Sequence, residues 1–472
     1  MIPMVKVLVT SMFMWVFKRK TIVILGIAGL CMVVAVLAGA WGYRRWTSVS
    51  YFSANNTALK MLLPAPTPNV EDRPWWRSEY QNKQIAESLL PAVKWSSKDQ
   101  PLWKTPIPGR GHATPVTWGN NIFVFTADDS QQTHSLLCLD AENGKVRWTT
   151  EVNQGGFMTK HEKNSQASAT PICDGQNVYV NFMAHNAIWV VAVDFEGKIT
   201  WKVEAGPYYA HWGYGSSMAI YQGLLIVSGD NRGSKLGRLR STSFLAALDR
   251  KNGGVIWRVP RPEEFSYGAP IISSVAGKDQ LLLASNTAVY SYDPLTGNEF
   301  WQCRWNAERT ANSVAVGEQA IIATCTQPQR ETLCIRADGS GNVTESKVQW
   351  RNTRIAADVP SPLIVGNRLI LIEDTGIINV MQMEDGKLLW KGRMGSASVS
   401  ASPVLHGMLV YISDEKGTTY VFDPMKDRLY LEAKNELGEE QYATPVFKST
   451  QVLLRTTTHL WCFSTSNRKS HP

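Results

Sequence analysis

The chain has 472 residues, 44% of them hydrophobic, and 48 Lys and Arg against 40 Asp and Glu for a formal charge of +8. Such a length and apolar content exclude a chain unable to bury a core. The charge does not mark a nucleic-acid binder: Lys6, Lys18, Arg19, Lys20, Arg44 and Arg45 precede residue 46 with no acid among them, so the remainder is nearly neutral and no nucleic-acid partner is expected.

From Thr21 to Gly42 the sequence is uncharged and, at 1.5 Å per residue, long enough for a helix to cross a hydrocarbon core of roughly 30 Å. The Lys18-Arg19-Lys20 cluster before it places residues 1–20 in the cytoplasm and the bulk of the chain outside the inner membrane, as a single-pass protein. The competing reading is a cleaved signal peptide, which this apolar run exceeds in length and for which it lacks a good cleavage site. Cys31 reads as a plain membrane cysteine rather than a lipid-modified one, because bulky Leu30 precedes it.

Residues 43–99 form a juxtamembrane linker and docking segment. Pro64, Pro66 and Pro68 keep it extended, as suits a spacer lifting a domain off the membrane, and Trp75 and Trp76 suggest that its end docks.

From about residue 100 strand signals dominate, and one phrase recurs. "LLCLDAENGKVRW" ends at Trp148, and its counterparts end at Trp201, Trp257, Trp301 and Trp390, each with a glycine four residues before the tryptophan. A second phrase opens each unit, at Pro115, Pro171, Met218, Pro270, Val314, Pro362, Pro403 and Pro445. Eight starts, with four short strands to a full unit, describe the blades of a β-propeller.

The eighth unit runs out after "LWCF", before a fourth strand, whereas "PLWKTPI" at 101–107 is a tryptophan-bearing fourth strand with no unit ahead of it. Joining them closes the ring and removes exposed sheet edges. The expected fold over 100–465 is therefore an all-β, eight-bladed propeller with four-stranded blades and N/C-terminal closure, preceded by one transmembrane helix and followed by a tail at 466–472.

Within each unit the Asx and glycine residues permit the reversal between the third and fourth strands. The tryptophan after it wedges between neighbouring blades. The expected wedges are Trp103, Trp148, Trp201, Trp257, Trp301, Trp350 and Trp390; the eighth slot, near Tyr430 and Leu431, has no Trp.

The phrase AxDxxTGxxxW, closest in "SYDPLTGNEFW", resembles the repeat of quinoprotein propellers, a family of pyrroloquinoline quinone (PQQ) dehydrogenases and non-enzymatic relatives. "HEKNS" at 161–165, "GYGSS" at 213–217 and "AKNELGEEQYATP" at 433–445 are similar to bacterial membrane-anchored PQQ-like propeller proteins. For the dehydrogenases the resemblance implies a quinone and a calcium ion on the propeller axis, a catalytic aspartate and commonly a disulfide between adjacent cysteines. This chain has no adjacent cysteines. Cys325 and Cys334 flank a polar turn, and whether they pair stays open.

Two inserts, 153–171 and 206–217, leave tryptophan strands and enter innermost strands, so they should share one face near the axis. His161, Glu162, Lys163, Asn164, His211 and Tyr214 are the candidate rim site. Glu162 and Asn164 offer oxygen ligands for calcium, and His161 or His211 a proton shuttle. The alternative reading is that these side chains only order long loops. Asp230 and Asn231 read as part of a solvated loop, and the glycine-rich 336–346 stretch as a loop rather than a phosphate cradle, because it lies in a β array.

The functional expectation is a non-enzymatic binding or scaffold module for cell-envelope proteins, with no catalytic residues assigned. The alternative is a PQQ- and calcium-dependent alcohol or sugar oxidoreductase.

Overall fold

The computed structural model describes residues 50–76, 94–98, 101–210, 212–231, 243–262, 266–395, 398–448 and 450–464. The expected cytoplasmic segment, the 21–42 span and the 466–472 tail lie outside them. Among the described residues no helix is long and apolar enough to cross a membrane.

Eight sheets form the ring. Blade 1 runs Val116–Trp118, Asn121–Asp128, Thr133–Asp140 and Val146–Gln154, from axis to rim. Blade 2 spans 172–207, blade 3 219–260, blade 4 271–304, blade 5 315–352, blade 6 363–393 and blade 7 404–436. Blade 8 takes three strands, Val446–Lys448, Gln451–Arg455 and His459–Ser464, from the end of the chain and its rim strand, Trp103–Pro106, from far upstream. The closing register sets Trp103 opposite Cys462 and Pro106 opposite His459. The expected closure is present.

Each opening phrase ends one residue before an innermost strand, with Pro115 before Val116, Pro171 before Ile172 and so on to Pro445 before Val446. Proline lacks an N–H and suits the first position of a strand. The hydroxyl residue just ahead of it has a role that the sequence reading missed. The N–H of Thr114 donates to Thr170 Oγ1 (3.2 Å), Thr170 to Ser217 (2.8 Å), Ser313 to Ser361 (3.1 Å), Ser361 to Ser402 (3.1 Å) and Ser402 to Thr444 (3.2 Å). These buried bonds step from blade to blade around the axis. They satisfy backbone donors that would otherwise be stranded in the core.

The recurring glycine and tryptophan meet between copies rather than within one. Gly144, in the turn of blade 1 at φ +71°, lies under Trp103 of blade 8, and a Cβ there would sit 2.4 Å from the indole. Gly197 receives Trp148, Gly253 Trp201, Gly297 Trp257 and Gly386 Trp350 in the same way. Four of these indoles also donate to the neighbouring turn's backbone: Trp103 to Ala141 O (3.1 Å), Trp148 to Phe195 O (2.7 Å), Trp201 to Arg250 O (3.2 Å) and Trp350 to Met383 O (2.9 Å). A glycine with positive φ makes the reversal and leaves a bare backbone on which the previous blade's indole can lie.

In seven blades the register shifts at one equivalent place, and the wedge position lies opposite the residue before that shift. In blade 7 this position is Ala433, opposite Val421. The expectation of Tyr430 or Leu431 is therefore corrected: Tyr430 lies ahead of the rim strand and is 60% exposed. The space beside Ala433 is taken by Trp95, 3% exposed, which packs with Tyr411 and Phe463 at centroid distances of 6.2 Å. Its backbone N–H donates to Asn435 Oδ1 (3.0 Å).

Two other segments depart from expectation. Residues 50–76 do not stand clear as a spacer. Phe52 exchanges backbone bonds with Arg258 on the rim of blade 3, Pro64 O accepts from Arg250, and Leu62 and Leu63 cover Gly223. Further on, Asp72 Oδ1 accepts from Gly119 N, Thr117 donates to Arg73 O, and Cys173 N to Pro74 O, tying the strap to innermost strands of blades 1 and 2. The 336–346 stretch contributes Gly341–Asn342 as a short parallel fifth strand on the rim of blade 4. Cys325 and Cys334 are both free and buried; their register partners are Glu331 and Ile322, so they do not face each other.

Candidate functional site

The strand order gives the ring two unlike faces. Turns between first and second and between third and fourth strands lie on one; connections between blades and between second and third strands lie on the other. The first, the turn face, is short-looped, and the strap crosses it. The second, the loop face, carries both inserts.

The rim strands of blades 1 and 2, Val146–Gln154 and Ile199–Pro207, carry the chain far along the blade before it turns inward. The inserts then meet, as expected. His161 N donates to Trp212 O (3.3 Å), and the two rings lie 4.5 Å apart. Asn164 Nδ2 donates to the same carbonyl at 2.9 Å, while its Oδ1 accepts from Ser165 N (2.8 Å) and Ser168 Oγ (2.5 Å). Gly213, φ +86°, packs on Lys160 and Asn164.

The other candidates separate. Lys163 reaches across to blade 7 and pairs with Glu415 at 3.2 Å, while Glu162 is exposed. Tyr214 is buried rather than on the rim. Its hydroxyl accepts from Asn181 Nδ2 (2.8 Å) and donates to Ser228 O (3.3 Å), and burial pushes the phenol well above its ordinary pKa. His211 lies outside the described residues. Both inserts are thus held by their own polar side chains, the use to which loop Asn, Ser and His are well suited.

A calcium centre does not fit these groups as they stand. Asn164 Oδ1 already accepts two hydrogen bonds, and among the described residues no three His, Cys, Asp or Glu side chains gather to hold a metal.

Asp230 and Asn231, expected in a solvated loop, are buried. Arg261 grips Asp230 with Nε at 2.8 Å and Nη2 at 3.0 Å and also reaches Tyr292 Oη. Asn231 Oδ1 accepts from Tyr209 N at 2.7 Å, which ties the second insert to blade 3. A bidentate buried pair of this kind outweighs the polarity of the individual residues.

The loop face also holds groups that were not among the site candidates. His112 stacks on Tyr442 at 4.0 Å, and Arg110 pairs with Glu440 at 3.4 Å. Burial first, then the Arg110, Arg455 and Lys160 cations, hold the His112 imidazole down at about 3. Across the ring, burial and then neighbouring Asp358 raise Asp374 to about 6 despite the hydrogen bond from Val359 N.

Comparison with known proteins adds sequence and fold relationships. A family model described as outer membrane protein assembly factor BamB matches residues 93–263, 189–378 and 241–470. The BamB of Burkholderia pseudomallei (strain K96243) is 21% identical over 361 residues, covering 67% of this chain and 85% of that protein. The BamB of Yersinia pestis is 20% identical over 396 residues, covering 72% and 92%. Among solved structures, the quinohemoprotein alcohol dehydrogenase from Comamonas testosteroni aligns with a TM-score of 0.54 at 12% identity, over 89% of this chain and 83% of that one. That last likeness is one of fold.

Proposed function

Because this chain belongs to the family of BamB-like PQQ repeats, we propose that it is a non-enzymatic propeller scaffold for protein partners in the bacterial cell envelope. Residues 21–42 carry it on the inner membrane, and the propeller lies on the outer side. Its loop face is the contact surface. The observation that supports this reading best is the use made of the inserts' polar groups: His161 and Asn164 fasten one insert to the other, and Lys163 ties the first to blade 7. Such a preformed, polar-rimmed surface on a rigid ring suits recognition of a folded partner.

The test is photo-crosslinking in native envelopes from a probe at Glu162, with a second probe at Tyr430 on the turn face. Discrete adducts from position 162 with one or a few envelope proteins, and far fewer from 430, are the expected result. Adducts equal to background at both positions would remove the reading. A parallel incubation of the full chain with PQQ and calcium separates the two function classes, since stoichiometric uptake with dye-linked turnover of an alcohol or sugar would replace the scaffold with an oxidoreductase.

A further inference from the structure

Among the described residues the buried arginines are provided with acceptors, with one exception. Arg261 is held by Asp230, Arg250 lies 3.1 Å from Asp174 Oδ2, and Arg73 Nη1 donates to the carbonyls of Val70 and Asp72. Arg455, at the end of the second strand of blade 8, is 1% exposed, and none of its three guanidinium nitrogens has a hydrogen-bond partner among the described residues.

Its surroundings include further cations. Gly111, in the connection from blade 8 to blade 1, passes directly against the guanidinium, and a Cβ there would sit 2.5 Å from Nη2 and 2.8 Å from Phe125 O. Gly111 is flanked by Arg110, whose side chain is 40% exposed, and by His112, whose imidazole feels Arg110, Arg455 and Lys160 together. The nearby carboxylates are engaged elsewhere: Glu440 with Arg110, Glu439 with Lys104, and Glu415 with Lys163.

We infer that Arg455 is the floor of an oxyanion-binding site between blades 8 and 1 at the loop face, taking a carboxylate or phosphate group. A guanidinium out of water with no acceptor carries a desolvation cost that an anion removes, and its planar fork matches two oxygens of either group. Arg110 and Lys160 lie toward the surface, each beside the carboxylate it pairs with, Glu440 and Asp129. Burial alone already holds the Arg455 pKa down to about 9, in keeping with a charge awaiting its counter-ion. The inference does not depend on the scaffold reading. If both hold, an acidic side chain or terminus of a protein partner and a free anion become alternative sources of the same group.

The test uses the full chain in detergent, titrated with inorganic phosphate and separately with acetate at constant ionic strength in chloride. The expected result is saturable binding by calorimetry with a rise in the thermal midpoint. Arg455→Met should weaken binding at least tenfold, and Arg455→Lys, which keeps the charge and loses the fork, should weaken it less. A stronger response to acetate would assign a carboxylate, and a stronger one to phosphate a phosphoryl group. In chloride buffer without phosphate or acetate Arg455→Met should be at least as stable as the parent, because an uncompensated buried charge has gone. Absence of binding by both ions, or equal binding by parent and Arg455→Met, would overturn the site. So would a marked loss of stability of that variant in chloride buffer without phosphate or acetate.

Discussion

The two junctions that flank the closing blade are built from different parts. Between blades 8 and 1, Trp103 lies on Gly144 and donates to Ala141 O, the arrangement repeated around the ring. Between blades 7 and 8 there is no indole on the rim strand, only Ala433. The difference follows from the closure itself. A blade's tryptophan rests on the third-to-fourth-strand turn of the next blade. Blade 8 has no such turn, because its third strand ends at Ser464 and its fourth begins at Trp103. A tryptophan in blade 7 would have no seat. The segment leading into the closing strand supplies Trp95 instead, and Ser97 N bonds Glu436 O beside it. The split blade and the missing tryptophan are therefore one fact.

The comparison can be broken at its regular side first. Trp103→Ala removes a buried indole, its hydrogen bond and part of the closing strand's anchorage, and should lower stability by about 3–5 kcal/mol in denaturant unfolding. Trp95→Ala should cost somewhat less, about 2–4 kcal/mol, because the closing strand stays paired. Its distinguishing mark is local: amide exchange should rise at residues 94–98 and 431–436 more than at 103–106. Equal exchange in both regions would mean that Trp95 is not the filler of the junction. Gly144→Ala combines a strained φ with a Cβ pressed on Trp103, and a loss of about 2 kcal/mol is expected, whereas Gly119→Ala, with open space around its Cβ, should lose less.

The smallest effect concerns pH at the seam. Burial pushes Glu439 upward, but hydrogen bonds from Thr456, Lys104 and Thr458 overcome it and bring the carboxyl down to about 2. A depressed carboxyl stabilises the fold above its unfolded pKa of about 4.5, and this contribution is lost as pH falls toward 2. His134 and His406 act in the same direction by a different route. Burial holds them neutral, at about 3 and about 4, so the unfolded chain binds protons that the folded chain refuses as pH falls below about 6.5. Unfolding midpoints should decline from pH 6.5 to 4 chiefly through the histidines. Glu439→Gln should flatten only the portion below 4.5. An unchanged profile in a His134→Phe variant would contradict this assignment.

Much of the ring was readable because its signals are local and repeated. Each start phrase marks an innermost strand, and "PLWKTPI" could be matched to the incomplete last unit. What stayed hidden depends on neighbours distant in sequence. The Ser and Thr of "ATP" and "SPL" were visible, but their bonds run to the next blade. Asp230 looked solvated because its partner, Arg261, lies 31 residues away. The prolines of 64–68 encode an extended chain but not the turn face it lies on, and Trp95 sits in a stretch with no repeat around it. Of the rim candidates, His161 and Asn164 came together because both inserts leave long rim strands. Tyr214 turned inward, where Asn181 and Ser228 satisfy its hydroxyl.

The account rests on strand 103–106 completing the C-terminal blade, and a directed disulfide tests it. Pro106 and His459 are opposed in the closing register, at a separation across antiparallel strands that a disulfide can span. With Pro106→Cys and His459→Cys together in the full chain, oxidation should form an intramolecular bridge in nearly every molecule and raise the unfolding midpoint. Free thiols at both 106 and 459 in the folded, oxidised double variant would contradict the closure and the junction argument with it.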